Sequence, residues 1–142
     1  MLCKVIKTYE KLPQDAIDIR NKVFVEEQGF ENEFDDIDHR CFHLELYDED
    51  KPVGCARIYT YDNKVYILGR VAVLKQYRKK HYGSKLMELL EMKAKELKAE
   101  RIELSAQSRV SAFYEKLGYK KYGEEYMDEH CPHIKMVKEL KI

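Results

Sequence analysis

Six basic side chains, Lys75, Arg78, Lys79, Lys80, His81 and Lys85, crowd around Gly83, and no acidic residue stands between Val71 and Met87. That is chemistry for an anion: the cations neutralise a phosphate, and a residue without Cβ lets it approach the main chain closely. What precedes the turn is almost continuously apolar and β-branched, Val65 to Leu74 broken only by Gly69 and Arg70. This predicts a central strand buried on both faces. After the turn, Leu86, Met87, Leu90, Ala94 and Leu97 recur at helical spacing while Lys85, Glu88, Glu91, Lys95 and Lys98 fall elsewhere, so a helix is expected from Gly83. Its free N–H groups and positive dipole end complete a phosphate site. Taken alone, the same basic turn also fits a solvated charge run.

A second charged stretch has the opposite sign. From Val23 to Asp38 there is no Lys or Arg, but Glu26, Glu27, Glu31, Glu33, Asp35, Asp36 and Asp38 are all present. It reads either as a solvated loop or as a rim that attracts cations. Cys3, Cys41, Cys55 and Cys131 have no paired short spacing, so reduced thiols are expected and no metal site.

The chain of 142 residues has the size of one domain, 1–142, and its 26 basic residues balance 26 acidic ones. Zero net charge argues against nucleic acid as a partner. No apolar run approaches the ~20 residues of a membrane span, and Met1 to Tyr9 lacks the apolar core of a signal peptide, so a cytoplasmic protein is expected.

These sites must be positioned by a modest set of elements. Leu2 to Tyr9 reads as a first strand, and Pro13 opens a helix with Ala16, Ile19, Val23 and Phe24 on one face, fading near Gln28 and Gly29. Phe42 to Tyr47 and Pro52 to Tyr61 are two antiparallel strands, and the turn at Asp62-Asn63 joins them to the central strand as a meander. Arg101 to Ala106 follows the long helix and should lie parallel beside the central strand. A short helix from about Val110 to Leu117 ends at Gly118. Tyr119 to Tyr122 and His133 to Leu140 form a last strand pair, with Glu124 to Cys131 as connector. The class is α+β, a mixed sheet of about seven strands flanked by helices.

Val71-Ala72-Val73, Tyr77-Arg78, Gly83, Leu86-Met87, Ser105-Ala106-Gln107 and the run Ala112-Phe113-Tyr114-Glu115-Lys116-Leu117-Gly118-Tyr119 resemble the acetyl-CoA motifs of the GNAT N-acetyltransferase superfamily. Val23 to Gly29, the acidic run, His43, Gly69-Arg70-Val71 and Pro132 to Met136 are similar to its small ElaA-like branch. The resemblance implies that main-chain N–H groups from Arg78 through Lys79, Lys80, His81, Tyr82 and Gly83 to Ser84 hold the coenzyme pyrophosphate. His81 stands where the family usually has Gly. It further implies that Val71, Ala72 and Val73 pair with the pantetheine arm beside a bulge, for which Gly69 is the expected place, and that Gln107 and Phe113 border the coenzyme. An aromatic on a short helix is also ordinary core packing. Tyr114 resembles the family tyrosine that protonates the departing thiolate. The general base stays open among Glu26, Glu27, His43, Glu103, His133 and water.

The expected function is therefore acetyl-CoA-dependent transfer of an acetyl group directly to a primary amine, with a small and, from the acidic run, cationic acceptor. A glucosamine 6-phosphate type of N-acetyltransferase is the alternative, with Arg20, Arg40, Arg57 or Arg70 supplying charge for the phosphate. A non-catalytic acyl-CoA-binding module is another. A homodimer could form through exposed strands at either sheet edge.

Overall fold

The computed structural model describes residues 2–7 and 12–140, with side chains from residue 12 onward. Among these residues seven strands form one mixed sheet: β1 Leu2–Lys7, β2 Phe42–Asp48, β3 Lys51–Thr60, β4 Val65–Val73, β5 Arg101–Gln107, β6 Lys120–Asp128 and β7 Cys131–Glu139, in spatial order β1-β2-β3-β4-β5-β7-β6. The expected first strand is present as far as Lys7; Thr8 and Tyr9 lie outside the described residues. β2, β3 and β4 are the expected meander, and β4 pairs with β5 in parallel.

Helix α1, Gln14–Arg20, packs on one face and α2, Tyr82–Glu96, on the other, with the short α3, Ser111–Lys116, after β5. Under α2, the buried Leu86, Met87, Leu90 and Ala94 meet Leu44, Ile58, Leu68, Ile102 and Met136. Fully burying each large side chain contributes roughly 1.5–3 kcal/mol. Gly54 permits this close docking, since a Cβ there would lie 2.9 Å from both the Ala72 carbonyl and Leu86 Cδ1. Under α1, the smaller cluster joins Ala16, Ile19, Val23, Phe24 and Phe30 to Cys55, Ala72 and Leu74.

Four expectations change. α1 does not run evenly to Gln28: beyond Arg20 it widens into a π-helical stretch, Asn21–Glu27. β4 is not sealed on both faces, because Val65, Ile67, Val71 and Val73 stay half-buried. α2 begins one residue early, at Tyr82, and His81 ahead of it is left-handed with φ 65°. The stretch from Glu124 is no connector but part of β6, whose nine residues are all exposed. A strand that buries neither face carries no alternation to find, and a register slip between Tyr122 and Tyr126 breaks what pattern remains.

Candidate active site

The sheet opens at its centre. β4 and β5 pair only as far as Leu68 and Leu104, whereas β5 continues against β7 to Gln107 opposite His133. The divergence begins at a bulge. Cys55 faces Ala72 but Arg57 faces Gly69, so β4 fits Arg70 and Val71 opposite Ala56 alone. Arg70 carries the left-handed φ of 51°, one residue beyond the Gly69 expected from sequence. Because Leu74 N–H bonds the Val53 carbonyl at 2.9 Å, strand alternation turns Ala72 toward β3 and the main-chain groups of Val71 and Val73 toward the gap. A cavity of about 430 Å³ fills the gap.

One end of this cavity is bordered by Gly69, Val71, Ala72, Val73, Arg78, Gln107, Val110 and Tyr114. Arg78 closes that end with its side chain, donating from Nε to the Val73 carbonyl at 3.0 Å and from Nη1 and Nη2 to Glu27 at 2.6 and 2.8 Å. Lys79 and His81 both adopt positive φ, 64° and 65°, and both side chains are exposed or half-exposed at the turn. The backbone shape that glycine favours is thus held by a histidine whose ring points to solvent. No side chain among the described residues caps α2, which leaves the first N–H groups at Tyr82, Gly83 and Ser84 for a ligand or water. The Tyr82 ring itself is buried and its hydroxyl bonds Asp48, so only its main chain reaches the turn. A Cβ on Gly83 would meet Phe113 Cζ at 3.5 Å: the Phe113 ring lies against the helix start and packs on the α2 cluster. Lys80 lies over the Tyr77 ring and Lys85 near Glu88.

Tyr114 reaches the cavity from α3. Burial pushes its phenol up to about 12, and its hydroxyl has no hydrogen-bond partner among the described residues. Gln107 donates to Gln28 at 2.8 Å across the cavity wall.

The other end is bordered by Phe30, Asn32, Glu33, Arg70, Ser105, Asp128, Glu129 and His133. Here the acidic run turns out to be no open rim. Glu33, Asp35 and Asp38 alternate with Arg20, Arg57 and Arg70 in a closed ring of ion pairs: Arg20 to Glu33 at 2.9 Å, Glu33 to Arg70 at 2.8 Å, Arg70 to Asp35 at 3.5 Å, Asp35 to Arg57 at 2.8 Å, Arg57 to Asp38 at 2.9 Å and Asp38 to Arg20 at 2.7 Å. Burial raises the Asp38 carboxyl, but the hydrogen bond and charge of Arg20, with Arg57, outweigh it and hold Asp38 below its ordinary value; Asp35 is lowered in the same way by Arg57 and Arg70. At Glu33 burial wins over the charges of Arg70 and Arg20, and its carboxyl is raised.

Of the five side chains considered for proton removal, two line the cavity. Glu27 is taken up by Arg78, whose hydrogen bond lowers its pKa. His133 is buried, and its Nδ1 lies 2.9 Å from the Cys131 carbonyl, an acceptor, so the neutral ring carries its proton there and keeps Nε2 as a lone pair. His43 lies elsewhere, its Nε2 on the Asp38 carbonyl at 2.8 Å and its pKa lowered by burial. Glu103 is held between Lys135 and Arg101 on β5, and Glu26 is exposed outside the cavity.

A family model described as an acetyltransferase (GNAT) domain matches residues 9–140. The chain belongs to the GNAT acetyltransferase family. A Bacillus subtilis protein named as an acetyltransferase is 38% identical over 137 residues, covering 93% of this chain and 92% of its own. Among solved structures, an N-acetyltransferase from Lactobacillus plantarum superposes with a TM-score of 0.85 at 30% identity, covering 97% of this chain and 98% of that one. Escherichia coli ElaA gives 0.84 at 25% identity, over 97% and 100%. The GNAT fold and the ElaA resemblance read from the motifs both stand, and the protein is an acyltransferase.

The sequence singled out Glu33 only as one member of the acidic run, and Asp128, Glu129 and Arg109 not at all, although all four line the cavity. A signal for the ring was present. Arg57 sits between Val53 and Ile58, and Arg20 follows Ile19, in stretches otherwise fit for burial; a buried guanidinium requires carboxylates, and the acidic run offered them. Among the described residues no helix is long and apolar enough to cross a membrane.

Proposed function

We propose that the protein is an acetyl-CoA-dependent N-acetyltransferase that moves the acetyl group directly to the primary amine of a small acceptor, without a covalent enzyme intermediate. The observation that carries this reading is the open edge of β4: Val71, and Val73 through its N–H, offer main-chain groups to a gap that Tyr114 faces from α3, and Arg78 at the gap leads through the turn into the uncapped start of α2. An extended pantetheine arm suits that edge as an added strand, and its phosphates suit the turn from Arg78 to Ser84. Main-chain N–H groups at the bulge stabilise negative charge on the thioester oxygen. Tyr114 gives its proton to the departing sulfur; burial keeps the phenol protonated until then. His133, with Nε2 free to accept, is the sequence-named base that reaches the cavity without a charged partner.

About 430 Å³ is near the lower bound for small-molecule sites and must hold the pantetheine end too, which supports a small acceptor or the end of a slender chain. The arginines named for the aminosugar-phosphate alternative are engaged elsewhere, Arg20, Arg57 and Arg70 in the ring and Arg40 over Tyr61, which leaves that alternative Arg109 at the cavity wall and supports the alkylamine reading. A panel of amines, aminosugar phosphates included, with acetyl-CoA and thiol detection tests the proposal. Thiol release with alkylamines supports it; coenzyme binding without release from any amine replaces it with the acyl-CoA-binding module.

A further inference from the structure

The ring of ion pairs leaves one oxygen over, and it belongs to the ring member that lines the cavity. Asp35 uses both oxygens, Oδ1 on Arg57 Nη1 and Oδ2 on Arg57 Nη2 at 3.2 Å. Asp38 uses both as well, Oδ1 on Arg20 Nη1 and Arg57 Nη1, Oδ2 on Arg20 Nη2 and on the main-chain N–H of Asp35. Glu33 differs. Arg20 Nε and Arg70 Nε both approach Oε2, at 2.9 and 2.8 Å, and Oε1 accepts no hydrogen bond from any described residue. Yet Glu33 is only 5% exposed. Among the described residues, the side-chain polar atoms both sealed and unpartnered are Arg57 Nε, Arg101 Nε and Ser108 Oγ, so Glu33 Oε1 is not fully sealed, and the residue that carries it lines the cavity.

Its nearest charges are the ring's Arg20 and Arg70, but the cavity lining as a whole carries one carboxylate more than it carries arginines. At the cavity wall, Glu27 is neutralised by Arg78 and Glu33 shares Arg70, which leaves Asp128 and Glu129 against the exposed Arg109. Glu129 in turn accepts the main-chain N–H groups of Glu31 and Asn32 at 2.8 and 3.0 Å, which fixes the loop that presents Glu33. Arg70 is the bulge residue immediately before Val71, so Glu33 is one side chain removed from the strand edge assigned to the pantetheine arm.

Resting on the transferase reading above, we infer that Glu33 is the specificity-determining carboxylate that receives the acceptor's primary ammonium on Oε1, so that the enzyme selects alkylammonium acceptors over amines that are neutral at the same pH. A rigid, desolvated carboxylate with one open oxygen recognises an N–H cation through a charge-assisted hydrogen bond, and ring closure on Oε2 holds that oxygen in place. The arrangement explains cationic preference by one residue and not by the acidic run as a whole: Glu31 and Asp36 are exposed and do not line the cavity.

The experiment is Glu33→Gln, assayed with a primary alkylamine and with an arylamine that is uncharged at neutral pH, beside melting curves with and without acetyl-CoA. Expected is a rise in KM for the alkylamine of about 10- to 100-fold, little change for the arylamine, and an unaltered acetyl-CoA shift. Asp35→Asn opens the same ring away from the cavity and should leave the ratio of the two amines as in wild type. Equal losses on both amines, or the same selectivity change in Asp35→Asn, overturn the inference and make Glu33 a structural ring member. If Glu33→Gln does not fold, competition on the wild type decides: a primary alkylammonium should displace the acceptor, and the trimethylammonium of the same chain, lacking N–H, should do so at least 10-fold more weakly. Equal displacement overturns it. A wild-type chain that releases thiol with no amine overturns the transferase reading, whereas a turning-over wild type with a Glu33→Gln variant that keeps the wild-type preference between the two amines overturns only Glu33's role.

Discussion

Arg70 is left-handed, with φ 51°, and its guanidinium is tied to Glu33 twice over: Nε lies 2.8 Å from Oε2, and Nε and Nη2 reach the Glu33 carbonyl at 3.1 and 3.0 Å. The residue that distorts β4 is thus held by the loop that forms the opposite wall of the cavity. Backbone shape and ion pairing can be separated by substitution. Arg70→Ala removes the ring contacts and keeps the strain, whereas Arg70→Gly removes both. Denaturant melts should show Arg70→Gly more stable than Arg70→Ala by about 1 kcal/mol, the usual cost of a left-handed non-glycine residue. Equal stabilities would mean that the bulge imposes no strain on position 70.

Acetyl-CoA should stabilise the fold. At a hundredfold excess over the dissociation constant, linkage gives roughly 2.7 kcal/mol, a visible change in Tm. Gly83→Val should abolish that shift while the chain stays folded, since its γ-methyls must press on Phe113 and crowd the first N–H groups of α2. Gly83→Ala adds one carbon 3.5 Å from Phe113 Cζ, ordinary contact, and should keep most of the shift. No shift in the wild type at millimolar acetyl-CoA would sink the coenzyme assignment.

Tyr114→Phe tests proton donation. Its hydroxyl has no partner to lose among the described residues, so Tm should hardly move. If the hydroxyl serves the leaving thiolate, kcat falls by about 10² to 10⁴ with coenzyme affinity nearly unchanged. Because burial pushes the phenol up to about 12, no loss of wild-type activity from its ionisation is expected near neutral pH. A variant with nearly full kcat would remove Tyr114 from the chemistry.

Acid should loosen the ring at Asp35 and Asp38. Both carboxyls sit below their ordinary value in the folded chain, so the unfolded chain takes up protons first and stability falls as pH drops through about 4 toward the folded values. Glu33, raised by burial, works the other way: its share is present at low pH and lost as pH rises through its folded value, which blunts the acid transition without reversing it. Asp38→Asn should cost on the order of 3–5 kcal/mol at neutral pH, because Arg20 and Arg57 stay buried. It should also flatten the Tm against pH curve below about pH 4; a parallel, undiminished slope would place the acid sensitivity elsewhere.

Much of this was legible from residue patterns. The apolar run Val65 to Leu74, the turn around Gly83 and the helical face Leu86 to Ala94 were explicit because burial, charge and period changed together over a short span. The strand β6 was hidden because it buries nothing. The ring was hidden for another reason: its carboxylates lie together in sequence, whereas Arg20, Arg57 and Arg70 come from α1, β3 and β4, and only the folded sheet brings them to one place. A cluster of like charge read along the chain became a balanced one in space. The bulge at Arg70 follows the same logic. Glycine was the natural suspect for a left-handed residue, but the Glu33 and Asp35 contacts hold an arginine there.

The closed ring also constrains how such a chain can change over generations. Each of its six charges has an opposite neighbour on both sides, so loss of any one leaves five charges, most of them buried, that cannot balance. Loss of two adjacent members restores neutrality, and their space can be refilled with apolar side chains at little cost in stability. Descent should therefore move through this region in steps of one arginine and one carboxylate together, with the pair containing Asp38 free to go before the pair containing Glu33.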